Sequence, residues 1–311
     1  MSKILPNANY FRLVGILARF AKPFRFIFPK KINQMIKLMP IKFPKKELPT
    51  KEIYPPTNKK KAIARVALLT GCVQKVISPS INDATIRLLN RHGVEVVVPK
   101  KIRCCGSLNH HLGKEEDAHQ DFKNNINTWY DEHQKGNLDA ILSNTSGCGT
   151  TMKDYGFIFR EDKELSKKAK VISELTKDVS EYIFESLKLD IKDKEKKYKV
   201  AYHSACSMQH GQKVHSQPVS LLEKTNNEIM EIPEGHICCG SAGTYNILQS
   251  KIAKQLLKKK VNNIESLNPD FISTGNIGCI TQIAHGTKVP ILHTIEVLDW
   301  YTGGPKPEIL K

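Results

Sequence analysis

At 311 residues, with 40% hydrophobic and 25% charged side chains, the chain has length for about two cores and too ordinary a composition for a disordered tail or a membrane-spanning bundle. No run approaches the roughly 18 uninterrupted apolar residues of a spanning helix, and no cleavable export signal opens the chain. The expectation is a folded cytoplasmic protein whose eight cysteines bind metal, because the cytosol keeps thiols reduced and a disulfide framework would not persist.

The net charge of +17 is unevenly placed: residues 1–60 hold 14 Lys or Arg against two acids, and eight of the 16 prolines. Within them NYFRLVGILARFAKPFRFIF, residues 9–28, mixes apolar and basic side chains. Residues 1–63 read as a basic, proline-rich docking arm, since proline breaks helices and favours extended connections. Such an arm suits an acidic protein partner or peripheral contact with the anionic inner face of the cell membrane. The alternative is a linker that covers the folded part. No nucleic-acid-binding motif accompanies the charge, so nucleic acid is not an expected partner.

From residue 64 strands and helices alternate, the signature of an α/β fold with mainly parallel sheet. ARVALLTG predicts a buried strand running into Cys72, residues 79–91 a helix stopped by Gly93, and VEVVVP a second strand. A long helix over residues 114–134 leads to the strand LDAILS and then Cys148. Residues 161–198, helical and then very charged, read as a connector. The order then recurs over residues 199–303: KVAYHSAC is a strand running into Cys206, a short strand ends near Ile232, a helix covers residues 242–264, and the strand DFIST precedes Cys279. The prediction is two similar Rossmann-like α/β halves from an internal duplication, residues 64–160 and 199–303.

All eight cysteines obey the repeat. Cys72 and Cys206 each precede a Cys-Cys pair by 32 residues, Cys104 with Cys105 and Cys238 with Cys239, and each pair is followed by glycine and serine. Cys148 follows the first pair by 43 residues and Cys279 the second by 40, so three positions repeat at an offset of 134. Chance does not supply that. All eight sit at strand ends or in the loops after them, where open α/β sheets form their crevices. Gly106, Gly147, Gly149, Gly240 and Gly278 lie beside them, where a missing side chain lets backbone N–H groups approach a bound group. Four thiolates per half are what a [4Fe-4S] cluster requires. Structural zinc also takes four cysteines, but its short Cys-x2-4-Cys hooks are absent; zinc stays open for one of the two sites.

The segments LLTGCVQ, IRCCGSLNHHLG, SGCGTTMKDYG, CSMQHGQK, HICCGSAGTYNI and NIGCITQIAHG, which together span residues 64–300, resemble the cysteine-rich domain found in heterodisulfide reductases and, more closely, the iron–sulfur subunits of bacterial glycolate oxidase. The resemblance implies an electron relay: an associated FAD-containing subunit oxidises glycolate to glyoxylate, and this chain passes electrons towards the respiratory chain as a subunit of an oxidoreductase acting on 2-hydroxy acids. It implies metal ligation by Cys72, Cys104, Cys105, Cys148, Cys206, Cys238, Cys239 and Cys279. Two departures stand out. Full-length members begin with a ferredoxin-like domain, whereas no cysteine precedes Cys72; the expectation is either a shortened or split version or a separate ferredoxin-like protein that supplies the missing relay. In the heterodisulfide reductase type the motif ends in Cys-x-x-Cys; here Thr145 and Asn276 occupy the earlier position, leaving four thiols per site and favouring a conventional cubane. A disulfide-reductase-type subunit, a lactate-utilisation subunit and a zinc-stabilised assembly factor remain the alternatives.

His110, His111, His203, His210 and His236 lie near the cysteines in sequence, where an imidazole can tune a cluster; the commoner role is structural. Ser107 and Ser241 are either donors to cluster sulfur or helix caps, and Tyr155 and Tyr245 read as core aromatics. No glycine-rich phosphate loop appears, so neither flavin nor nicotinamide is expected on this chain.

Overall fold

Runs such as ARVALL and AILS put apolar residues on both faces of a strand, which is stable only where helices cover both sides of a parallel sheet. The computed structural model, which describes residues 3–39, 43–44, 50–57 and 61–311, contains two such sheets. The remaining positions of the expected arm, Lys42, Lys45 and Lys46 among them, lie outside the described residues.

In the first sheet β1 (Ile53–Tyr54) pairs antiparallel with β3 (Val94–Val97), which continues in parallel through β2 (Ala64–Leu69), β4 (Ala140–Ser143) and β5 (Thr176–Asp178). The second sheet orders β6 (Lys199–Tyr202), β7 (Glu228–Glu231), β8 (Phe271–Thr274) and β9 (Ile291–His293) as β7-β6-β8-β9, all parallel. The order β3-β2-β4-β5 is therefore repeated. Val66 faces Val96 and Ala140 across its two ladders, and Val200 faces Ile229 and Phe271.

The arm carries α1 (Ala8–Ala21) and α2 (Lys30–Leu38). Asn7 starts α1 by accepting from the backbone N–H groups of Asn9 and Tyr10 at 3.1 and 3.2 Å. In the first half α3 (Gln74–Ile77) and α4 (Ser80–Arg91) follow β2, and α5 (Ser107–His111) and α6 (Glu115–Gly136) follow β3. Next, α7 (Ser146–Lys153), α8 (Tyr155–Ile158) and α9 (Ser166–Leu175) follow β4, and α10 (Val179–Ser186) follows β5. In the second half a π-helical turn (Ser207–Gln212) and α11 (Gln217–Glu223) follow β6, α12 (Tyr245–Leu248) and α13 (Ser250–Glu265) follow β7, α14 (Ile277–Ile283) follows β8, and α15 (Thr294–Tyr301) follows β9.

Strand alternation sorts the core into layers. Val66, Leu68, Val200 and Tyr202 face a shared core with helices α4, α10, α11 and α15. Ala67 and Leu69 face outward onto α6, α7 and α9, and Ala201 faces a separate cluster with α13 and α14. The central helices pair as the duplication requires, α4 on α15 and α10 on α11. Arg87 and Arg91 of α4 both bind Asp299 of α15, Arg87 through Nε at 3.0 Å and Nη2 at 2.6 Å and Arg91 through Nη2 at 2.5 Å. That carboxylate is buried, so two guanidinium partners are what make it tolerable there.

Three segments differ from expectation, the first being the end of the expected arm, where Ile53–Tyr54 joins the first sheet as β1. Within residues 161–198 the helix α9 is present, but β5 completes the first sheet and α10 packs in the shared core; residues 161–165 and 187–198 are without helix or strand. The strand is Thr-Lys-Asp, too short and polar for a period-two pattern to register. The helix expected over residues 242–264 is also divided, with α13 beginning at Ser250 after the short turn α12.

Candidate metal centres

In each half the first strand neighbours both the second and the third, so the chain leaves it in opposite directions and a crevice opens at the carboxyl ends. Cys72 stands just after β2, Cys148 in the first turn of α7 after β4, and Cys104–Cys105 in the loop after β3. Cys206, Cys279 and Cys238–Cys239 hold the matching places around β6, β8 and β7. All eight are free thiols.

Each crevice gathers its four sulfurs. Cys72 and Cys104 are 3.4 Å apart, Cys104 and Cys105 share a hydrogen bond, and Cys105 reaches Cys148. In the second half Cys206 contacts Cys238, Cys238 contacts Cys239, and Cys239 lies 3.5 Å from Cys279. Contact between thiols splits their acidities. Cys104 is held well below the usual cysteine range by hydrogen bonds from Cys105 and Cys72. Cys238 is held down to about 2 by Cys206 and Cys239, with the Gly240 N–H donating at 3.3 Å. Cys72, Cys105, Cys206 and Cys239 are pushed up by sharing those hydrogen bonds and by burial. Each crevice thus favours a thiolate, the form that binds metal.

The loops that present the pairs are pinned from behind. Asn125 of α6 accepts from Arg103 N at 2.9 Å and donates to Cys104 O at 2.8 Å, and Tyr155 Oη donates to Cys105 O at 2.9 Å. Gly106 and Gly240 turn the loops with φ of +76° and +90°. A Cβ at Gly106 would stand 2.3 Å from the Phe122 ring, and one at Gly240 would stand 2.5 Å from Ala253 O. Gly147 is different: a Cβ there would meet only Asn276 at 3.9 Å. Gly149 is closed by Gln212, and Gly278 by Asn276 and Ser241.

A polar seam joins the halves close to both crevices. Ser146 and Ser207 share a hydrogen bond of 2.7 Å; Asn276 Nδ2 donates to Ser146 Oγ at 2.6 Å, while its Oδ1 caps α14 by accepting from Gly278 N at 2.7 Å. The position that carries an extra cysteine in heterodisulfide-reductase-type motifs therefore serves as a helix cap here. Its counterpart Thr145 donates to Gln74 Oε1 at 2.7 Å.

Of the five histidines singled out by sequence, His203 alone reaches the thiols among the described residues. It is 2% exposed, its ring lies within 4.8 Å of the Cys239 and Cys279 sulfurs, and neither ring nitrogen has a hydrogen-bond partner. With Cys239 it lowers Cys279 to about 6. His110 packs on Phe122, His111 is exposed, and His210 and His236 lie at the surface. Tyr155 is a core aromatic, as expected, with its hydroxyl on the cysteine loop. Ser107 follows the turn at Gly106 as the first residue of α5 and makes no cap hydrogen bond. Sequence reading passed over Asn125 and the buried Lys260; aligning the two helices on Ala118 and Ala253 would have placed them at equivalent positions.

Comparison with known proteins decides the family. The cysteine-rich domain of the CCG family matches residues 66–153 and again residues 200–284. The chain belongs to this family. It is 32% identical to the glycolate oxidase iron-sulfur subunit of Escherichia coli, over 96% of this chain and 70% of that one. It is 27% identical to lactate utilization protein A of a Geobacillus species, over 76% of this chain and 99% of that one. A crystal structure of a hypothetical protein from Helicobacter pylori shares the fold with a TM-score of 0.54 at 12% identity; the match covers 97% of this chain and 58% of that chain's length.

Proposed function

We propose that the chain is an iron–sulfur electron-transfer subunit of a glycolate oxidase type complex. The observation that carries the reading is the pair of crevices, each gathering four free thiols of which at least one is held low as a thiolate. Cys72, Cys104, Cys105 and Cys148 would hold one cluster and Cys206, Cys238, Cys239 and Cys279 the other. A [4Fe-4S] cluster so held takes up and releases one electron at a time. The protein's part is to keep the thiolates in place and water away. Asn125 and Tyr155 fix the carbonyls of the first pair, and the buried sulfurs of Cys104, Cys105, Cys239 and Cys279 lie in apolar clusters. A flavin-bearing partner would oxidise the 2-hydroxy acid, with no flavin on this chain. The likeness to the E. coli relative supports glycolate as that acid; the match along nearly all of lactate utilization protein A supports a second reading in which the acid is lactate.

The arm serves this reading as a docking element. Tyr10, Leu13, Ile16, Leu17 and Phe20 form one exposed face of α1, continued by exposed Phe24, Phe26 and Ile27. Phe11 and Gly15 turn the other way, Gly15 against Phe43. No acid precedes Glu47. An apolar face rimmed with cations suits the anionic surface of a membrane, and among the described residues no helix is long and apolar enough to cross one. Flotation with anionic vesicles should carry the chain, and L13E/F20E should abolish it.

The deciding experiment is anaerobic purification followed by iron, zinc and labile-sulfide analysis with electron paramagnetic resonance of the reduced protein. About eight iron and about eight sulfide per chain support two cubanes. Zinc without sulfide in either crevice removes the relay through that site.

A further inference from the structure

The two crevices share their thiols but not their electrostatics. Aligning Cys72 with Cys206 places Leu69 opposite His203; both are buried at 2% exposure. Aligning Ala118 with Ala253, whose carbonyls sit beneath Gly106 and Gly240, places Asn125 opposite Lys260 and Asp121 opposite Leu256. Lys260 is 1% exposed, and its ammonium is held by Glu234 O at 3.1 Å and Gly235 O at 3.4 Å, carbonyls of the loop that leads to Cys238. The second crevice thus has an imidazole and a buried ammonium where the first has a hydrocarbon and a neutral amide. The first crevice has a carboxylate instead: Asp121 is half-buried on α6, one turn before the Asn125 that holds Cys104 O. Its own cations are Lys75, which is half-buried, and Arg103, which is exposed and screened by water.

A cluster gains one negative charge on reduction. Hydrogen bonds to its sulfurs and nearby positive charge stabilise that form, and a nearby carboxylate opposes it. Resting on the iron–sulfur reading above, we propose that His203, as an N–H donor to a sulfur of the bound cluster, and Lys260, as a buried cation, give the second site the higher reduction potential, so that an electron shared by the pair settles there. The first cluster is then oxidised by losing the one electron that reduces the second. This role gives a partner to one of the two unpartnered ring nitrogens of His203 beside Cys239 and Cys279, where a buried imidazole with none is otherwise costly.

The test is a redox titration of the full-length, cluster-loaded chain followed by electron paramagnetic resonance. The parent should show two midpoints. H203L, which copies Leu69, should lower the upper midpoint by at least tenfold in electron partition, about 59 mV for one electron, and leave the lower one unmoved. H203Q keeps an N–H and should restore most of the difference. K260M should lower the same midpoint by a smaller amount, and it reads the proposal even if H203L fails to retain its second cluster. Weak nitrogen hyperfine coupling is expected in the parent, and coupling of the strength of a direct iron–nitrogen bond overturns the donor role. Two intact clusters whose midpoints ignore H203L and K260M overturn this inference alone. A preparation without iron and sulfide overturns the proposed function as well.

Discussion

The first half closes its crevice with α6, α7 and α9 over an aromatic floor in which Phe122, Tyr155 and Phe159 pack ring against ring, Phe122 and Tyr155 at 4.9 Å between centroids. The second half closes the same crevice with α13, α14 and the π-helical turn, and its equivalents are aliphatic, basic or small. One strand order and one cysteine spacing thus support two different interiors. The duplication preserves what the thiols need, a turn at Gly106 or Gly240 and a strand end on either side, and leaves the surrounding charge free to diverge.

The strongest way to break the comparison is to remove one site. C105A should lose about half of the iron, near four atoms per chain, and keep the second site's spectrum, because the crevices belong to separate sheets; loss of both clusters would show that they assemble as one unit. Next in size is the joint between the halves. D299A leaves Arg87 and Arg91 facing each other without their buried carboxylate, and chemical denaturation should register a loss of about 3 kcal/mol.

The paired turns sharpen the comparison. Gly106→Ala and Gly240→Ala should each cost about 2–4 kcal/mol from the left-handed backbone and the crowded Cβ. G240A should be the worse, because it meets the Ala253 carbonyl of the α13 backbone at 2.5 Å, where Gly106 has the Ala118 carbonyl at 3.2 Å and its closest contact is the Phe122 side chain.

The smallest effect concerns two equivalent helix caps. Asp178 caps α10 and His293 caps α15, each in a reciprocal box, with Glu181 and Glu296. Burial raises Asp178 to about 6 and lowers His293 to about 4, the latter as a neutral ring that accepts from Ile295 N and donates to Asn144 O. The signs oppose. The folded protein binds a proton at Asp178 more readily than the unfolded chain, so that contribution is lost as pH rises from about 4 to about 6. At His293 the unfolded chain takes the proton first, so stability is lost as pH falls from about 6.5 to about 4. Denaturation across this window should therefore show D178N more acid-sensitive than the parent and H293N less so.

Much of this was legible in sequence. The strands are short, nearly continuous apolar runs, and the repeat announces itself through two identical 32-residue intervals ending in Cys-Cys-Gly. The order of strands and the company of cysteines at their ends followed from those signals. The strand β5 was not legible, because three residues of Thr-Lys-Asp become a strand only when Ile141 and its neighbours offer a ladder. Among five candidate histidines, spacing alone could not choose His203, and Lys260 looked like one more lysine on a basic helix. Local sequence determined which residues are thiols, where the chain turns, and that the unit occurs twice, since each depends on neighbours a few residues away. Tertiary structure alone decided which charges face each crevice and how the halves join at Asp299 and at the Ser146–Ser207 seam. Those contacts bridge dozens to hundreds of residues of chain, and burial is what gives them their strength.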